Sequence, residues 1–323
     1  MDEDPEELAR TLKEEEVREA AAKKDALENG VTDPSRQAPD EGAAVQDFFG
    51  TDEIFLRVLA TADHELEQPR AAFLWGALAA GLFLGFSFVA RVALTSEVGE
   101  ERVLIGNLLY PIGFIFIILG RYPLYTENTL TPVTLVLTRF ASVPDLLRIW
   151  GDAFAGNLVG AALMALLLAK GGVFTPEAAE VARHLGTHLL DIAPAEAFVR
   201  AMLAGWLLAG LVWLIHAARD TTARLLLIWM VIYLQVSADL YHCIVGSVET
   251  LYAVFSGHAG IGDYLVDFLL PVALGNTVGG VVFVAVLNYA QFSGDKGDKA
   301  KAQRERLSTR EWCTGRSGPT RDR

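Results

Sequence analysis

The pentapeptide Gly156-Asn157-Leu158-Val159-Gly160 returns as Gly275-Asn276-Thr277-Val278-Gly279, each time inside a long apolar run. Each copy follows an apolar segment that is broken by turn-forming or polar residues. The first break holds Arg121, Pro123, Leu124, Tyr125, Thr126, Glu127, Asn128 and Thr129; the second runs from Asp239 through Tyr241, His242 and Cys243 to Ser247. Two halves with interrupted spans in matching positions predict a transporter or channel built from an internal repeat. Its pathway would lie where the broken spans meet.

Apolar runs near 71–94, 105–138, 149–170, 197–217, 223–255 and 265–291 set the remaining partition. Each is long enough to cross a bilayer, which takes about 20 residues. With 52% hydrophobic residues, the chain has too little polar surface to bury these runs in a soluble core. The expected fold is therefore an all-α membrane protein of six spans, the second and fifth broken.

The net charge of −13 belongs mostly to the N-terminus, where residues 1–70 carry 20 acidic against 8 basic side chains. Residues 1–68 are expected to form an acidic, largely disordered tail. Residues 69–292 form the six-span domain, and 293–323 a basic tail. No secretory signal is expected, because the first apolar run starts too late. The basic flank after Phe292, with Lys296, Lys299 and Lys301, places the C-terminus in the cytoplasm, and six spans return the N-terminus there. Cys243 and Cys313 suggest no disulfide framework.

Within the second run, Pro123 removes a donor, and a break in hydrocarbon survives only inside protein or against a wet cavity. A half-helix near 105–119, a loop near 120–127 and a second half-helix from about 128 follow. Asn128, Thr129 and Thr131 are placed to cap that second half-helix, whose N-terminus would favour an anion. In the fifth run His242 is the ionisable group that titrates near neutral pH without perturbation; it is either a packing histidine or a pathway group. Glu249 is expected to start the following half-helix.

Together these residues resemble the formate/nitrite transporter family over about residues 70–292. Leu124-Tyr125-Thr126 matches that family's first loop, His242 its central histidine, and Gly156-Asn157 and Gly275-Asn276 its third- and sixth-span motifs. The wording Leu-Tyr-Thr-Glu-Asn-Thr is similar to a divergent branch of inner-membrane transport proteins. The resemblance implies an aquaporin-like inverted repeat, a homopentamer in lipid, and transport of a small monovalent anion of a weak acid, passive or proton-coupled. It also implies that His242 shares a proton with the anion and that Thr126 orients it. Asn157 and Asn276 are carried as pathway residues.

The departures are Tyr241 before the histidine, Gly246 and Gly205 in place of asparagines, and no outer lysine. Gly205 and Gly246 would widen the pore, which keeps a channel for a small neutral solute as the alternative. Arg121 and Glu127 are placed to pair across the first loop, either with Arg121 as the anion attractor or only to hold the loop. No metal-ligand spacing, cofactor motif or phosphate-cradling loop is visible, so an enzyme is not expected, nor is nucleic acid a partner.

Overall fold

The computed structural model describes residues 49–282, 290 and 306–315. The chain is helical, with no strand among the described residues. In order, the helices are α1 (Thr51–Glu67), α2 (Arg70–Val98), α3 (Val103–Gly106), α4 (Ile112–Gly120), α5 (Thr131–Leu137), α6 (Val143–Lys170), α7 (Pro176–His188), α8 (Pro194–Ala217), α9 (Thr221–Ser237), α10 (Cys243–Phe255), α11 (Ile261–Gly280) and α12 (Thr309–Thr314). Among the described residues, α2, α6, α8 and α11 are the four helices long and apolar enough to cross a membrane. The second and fifth apolar runs are divided instead, into α3, α4 and α5, and into α9 and α10.

Both divisions begin with the same device. Arg121 and Asp239 follow α4 and α9 with φ of 56° and 55°. That left-handed conformation costs a residue with a Cβ about 1–2 kcal/mol. It lets the next N–H groups turn back on the helix end, Tyr122 to Ile117 O and Leu240 to Gln235 O, at 3.0 Å each. Orphan carbonyls are thereby paired inside the protein, as an apolar solvent demands.

The repeated pentapeptide supplies the helix crossings. α6 packs closely on α2, and α11 on α8. A Cβ at Gly160 would strike the Leu78 carbonyl, one at Gly279 the Met202 carbonyl, and one at Gly81 the Asn157 carbonyl. Small residues permit this approach where packing must replace the hydrophobic drive. α11 carries a π-type stretch over Tyr264–Leu269 just before Pro271, a local widening beside a residue that cannot donate to the ladder.

Ordered structure starts earlier than residue 69. α1 buries Phe55, Val58, Leu59 and Ala62 against Leu130, Val133, Leu135, Val136, Ala209 and Val212. This amphipathic face defeats the expected disorder over 51–67; residues 1–48 lie outside the described residues. Part of the basic tail is helical too. Trp312 Nε1 donates to Val136 O at 2.8 Å, so α12 sits at the same end of the bundle as α1.

Two polar contacts pin α1. Thr131 Oγ1 donates to Glu65 Oε2 at 3.1 Å, and Thr61 Oγ1 lies 2.9 Å from His216 Nε2. Burial pushes the Glu65 carboxyl up to about 7, against the smaller opposing effect of the Thr131 hydrogen bond. A raised folded value means that the docked helix binds a proton the undocked helix releases. Docking is therefore strongest below the free glutamate value and weakens as pH rises through about 7. Hydrogen-exchange protection of 51–67 should fall between about pH 4.5 and 7 in the wild type and stay flat in Glu65→Gln. Equal pH dependence in both would assign the effect elsewhere.

Candidate substrate pathway

The two breaks meet through side chains. Thr126 Oγ1 lies 2.8 Å from His242 Nε2, and both residues are buried, at 1% and 2% exposure. His242 is also the N-cap of α10: its Nδ1 accepts from the backbone N–H groups of Ile244 (3.2 Å) and Val245 (3.3 Å). A ring nitrogen that accepts carries no proton, so the neutral ring holds its proton on Nε2 and donates toward Thr126. A proton on Nδ1 would face two N–H donors and lose both bonds. Phe114 meets the imidazole edge-on, with ring centres 5.2 Å apart and planes at 87°.

Asn157 and Asn276 hold the breaks in place by equivalent bonds. Asn157 Nδ2 donates to Ala77 O (2.7 Å) and Pro123 O (3.0 Å), and its Oδ1 accepts from the Tyr125 N–H (2.9 Å). Asn276 Nδ2 donates to Ala201 O and Tyr241 O, and its Oδ1 accepts from the Cys243 N–H, all at 2.8 Å. Each amide thus joins one long helix to both sides of a break. Leu124 is fully buried, and the Tyr125 hydroxyl donates at 2.7 Å to Thr277 Oγ1, which itself donates to Ala273 O.

A cavity of ≈ 20 Å³, room for little more than one water-sized guest, opens beside His242. One face of α10 lines it with His242, Gly246 and Glu249, which share that face by the i, i+4, i+7 spacing. Arg91 Nη1 and the Tyr110 hydroxyl each donate to Glu249, both at 3.1 Å. Across the cavity, Asp239 pairs with Arg200, accepts from the Tyr241 hydroxyl at 3.1 Å and lies 3.6 Å from His188. His188, on α7, is held above the usual imidazole value by its Asp239 contact. His184 pairs with Glu100.

Several sequence expectations change. Arg121 and Glu127 form no ion pair: Arg121 is exposed in its left-handed position, while Glu127 follows it on a 3₁₀ turn, Glu127–Thr129, and feels the charge of Glu65. Asn128, Thr129 and Thr131 do not cap α5. Thr129 and Thr131 donate to Thr126 O and Glu65, and the Asn128 amide has no partner among the described residues. Glu249 sits two turns into α10 rather than at its start. Gly205 is a crossing glycine against the Asn276 carbonyl, whereas Gly246 lines the cavity at a point where an added Cβ would meet the Phe268 ring. Arg91, Tyr110 and Arg200 escaped the sequence reading. An arginine inside the first apolar run was the available signal.

A helical bundle whose two interrupted segments bring buried polar side chains together is an arrangement found in membrane channels and transporters. Among the described residues no His, Cys, Asp and Glu group is arranged to hold a metal. The family model for formate/nitrite transporters matches residues 52–290. Inner membrane protein YfdC of Escherichia coli (strain K12) is 34% identical over 252 residues, covering 77% of this chain and 81% of that protein. Formate channel FocA of Haemophilus influenzae is 24% identical, covering 68% and 86%. Among solved structures, a pentameric formate channel with formate bound aligns with TM-score 0.60 at 21% identity, over 70% of this chain and 98% of that one. An FNT family ion channel aligns with TM-score 0.65 at 21% identity, over 75% and 98%. The chain belongs to the formate/nitrite transporter family.

Removing an asparagine clamp strands a buried N–H and carbonyls, each costing about 1–3 kcal/mol. Asn157→Ala should therefore destabilise the protein by at least about 2 kcal/mol in detergent unfolding. Val159→Ala, two residues on and 50% exposed, should change it by less than about 0.5 kcal/mol. Equal losses would mean that the amide holds nothing the packing does not.

Proposed function

We propose that the protein moves a small monovalent anion of a weak acid, such as formate or nitrite, across the inner membrane, passively or with a proton. In this reading the chain crosses six times as an inverted repeat, with α3–α5 and α9–α10 as the broken second and fifth spans. The matched left-handed caps and the two asparagine clamps support the repeat. The shared end of α1 and α12 supports two termini on one side, the cytoplasm by the basic flank. Residues such as Trp75, Met230 and Val266, exposed at 71%, 60% and 61%, present apolar surface to lipid or to neighbouring protomers. The pentameric structural relative makes a homopentamer the natural assembly.

The observation that carries the anion reading is the Thr126–His242 contact. Between the breaks the path offers one neutral Nε2–H donor and one hydroxyl. An anion that inserts there gains two donors in a dry setting, where an unpaired charge is costly. Leu124 and Phe114 exclude water around it. Tyr125, Asn157 and Asn276 fix the loops rather than touch the substrate. The exposed Arg121 and the half-buried Glu127 line the approach from the α1 end. The neutral-solute reading gains no support from Gly205, which packs on the Asn276 carbonyl.

Liposomes holding the purified protein should take up at least one of formate, nitrite, lactate and hydrosulfide. His242→Asn keeps an N-cap side chain for α10 but is too short to replace the Nε2–H at Thr126, and should slow uptake about tenfold or more, the worth of one hydrogen bond to a charged group. Unchanged uptake by a folded variant would contradict the pathway.

A further inference from the structure

Arg91 and Glu249 are an ion pair set deep in an apolar bundle, with side chains 13% and 2% exposed. Their pairing is incomplete. Arg91 contacts Glu249 through one nitrogen, Nη1 to Oε2, and its other guanidinium N–H groups have no acceptor among the described residues. They lie at the cavity that reaches His242. Glu249 divides its oxygens: Oε2 faces Arg91, and Oε1 accepts from Tyr110. It can therefore lose Arg91 and remain held.

We propose that Arg91 and Glu249 form a proton–anion exchange site at one end of the pathway. The incoming monovalent anion replaces Glu249 as counter-ion of Arg91, and Glu249 takes one proton from the adjoining solution on Oε2. This rests on the anion-transport reading and adds where the anion first binds and which group carries the proton. The step balances: one proton and one anion enter, no other bond changes, and Arg91 stays cationic. The site holds one positive and one negative charge before and after. A buried guanidinium requires this, because an uncompensated charge in such a place is strongly disfavoured. A third charge arriving without the proton would leave two anions on one cation.

The other charged groups around Glu249 are already engaged. Asp239, in the break, is bound by Arg200 and Tyr241 and faced by His188 of α7. α7 meets the Glu249 backbone through Gly186. His242 is occupied with Thr126 and its own helix. α11 presents Phe268 there, and Lys170 closes the far end of α6. From Glu249 the anion has two helical turns of α10, past Gly246, to reach the Nε2–H of His242.

The test uses the full-length protein and formate. Carbon-13 formate added to the wild type in detergent should produce a protonated-carboxyl band in the infrared difference spectrum and take up about one proton per protomer; Glu249→Gln should do neither. In liposomes the half-saturating formate concentration of the wild type should rise by up to about tenfold per pH unit, while that of Glu249→Gln stays level. Arg91→Gln should raise it about tenfold or more at every pH. If the wild type binds formate without a new carboxyl band or proton uptake, the exchange site is wrong; that measurement needs no variant to fold. If uptake depends on His242 while Glu249→Gln keeps the wild-type pH profile, the exchange fails and the transport reading stands. If the wild type moves none of the four anions, both fall.

Discussion

Everything at the centre of this protein depends on two buried carboxamides. A helix interrupted inside a membrane exposes backbone groups that lipid cannot satisfy. Asn157 and Asn276 satisfy them, each donating twice and accepting once. Neither amide titrates, so the clamps hold at any pH at which the protein works. Because each clamp also ties its break to a long helix, the distance between Thr126 and His242 is set by the packing of α2 on α6 and of α8 on α11. The crossing glycines and the Thr126–His242 contact are thus one device: the glycines let the helices approach, and the approach lets the asparagines reach.

Charge follows a related rule. In the bundle the cations sit against carboxylates: Arg70 on Asp152 at 2.7 Å, Arg91 on Glu249 at 3.1 Å, and Arg200 on Asp239. Among the described residues, the cation that lines the cavity beside His242 is Arg91, paired with Glu249. In the proposed exchange site, selectivity comes from replacing one counter-ion by another. The α1 end differs. There Glu127 feels the charge of Glu65, and burial raises the Glu65 carboxyl in the docked helix.

The parts legible in the sequence were those written as local pattern. The echoed pentapeptide, the proline and polar breaks, and His242 at the second break pointed to the residues that the structure brings together as Thr126 on His242 and as the two asparagine clamps. The family resemblance, carried by the same residues, was right. What the sequence did not reveal depends on distant pairs. Glu249 reads as a helix-start carboxylate until Arg91, 158 residues earlier, is brought against it. Arg121 beside Glu127 reads as an ion pair, but the left-handed turn points it elsewhere. Gly205 and Gly246 read as missing side chains; the Asn276 carbonyl and Phe268 ring that a Cβ there would meet are distant in the sequence. α1 was lost in the acidic composition around it, although its apolar face has a helical period.

The central claim is that His242 serves as a neutral donor, its Nδ1 fixed by capping α10 and its Nε2–H turned to the path. Nitrogen-15 spectra of ring-labelled histidine in the reconstituted protein, with His242 assigned by difference from His242→Asn, test it directly. The account predicts an unprotonated Nδ1 and a protonated Nε2 from about pH 8 to pH 5, across the range in which a free histidine gains its charge. A ring protonated on both nitrogens within that range, or the opposite tautomer, would contradict it.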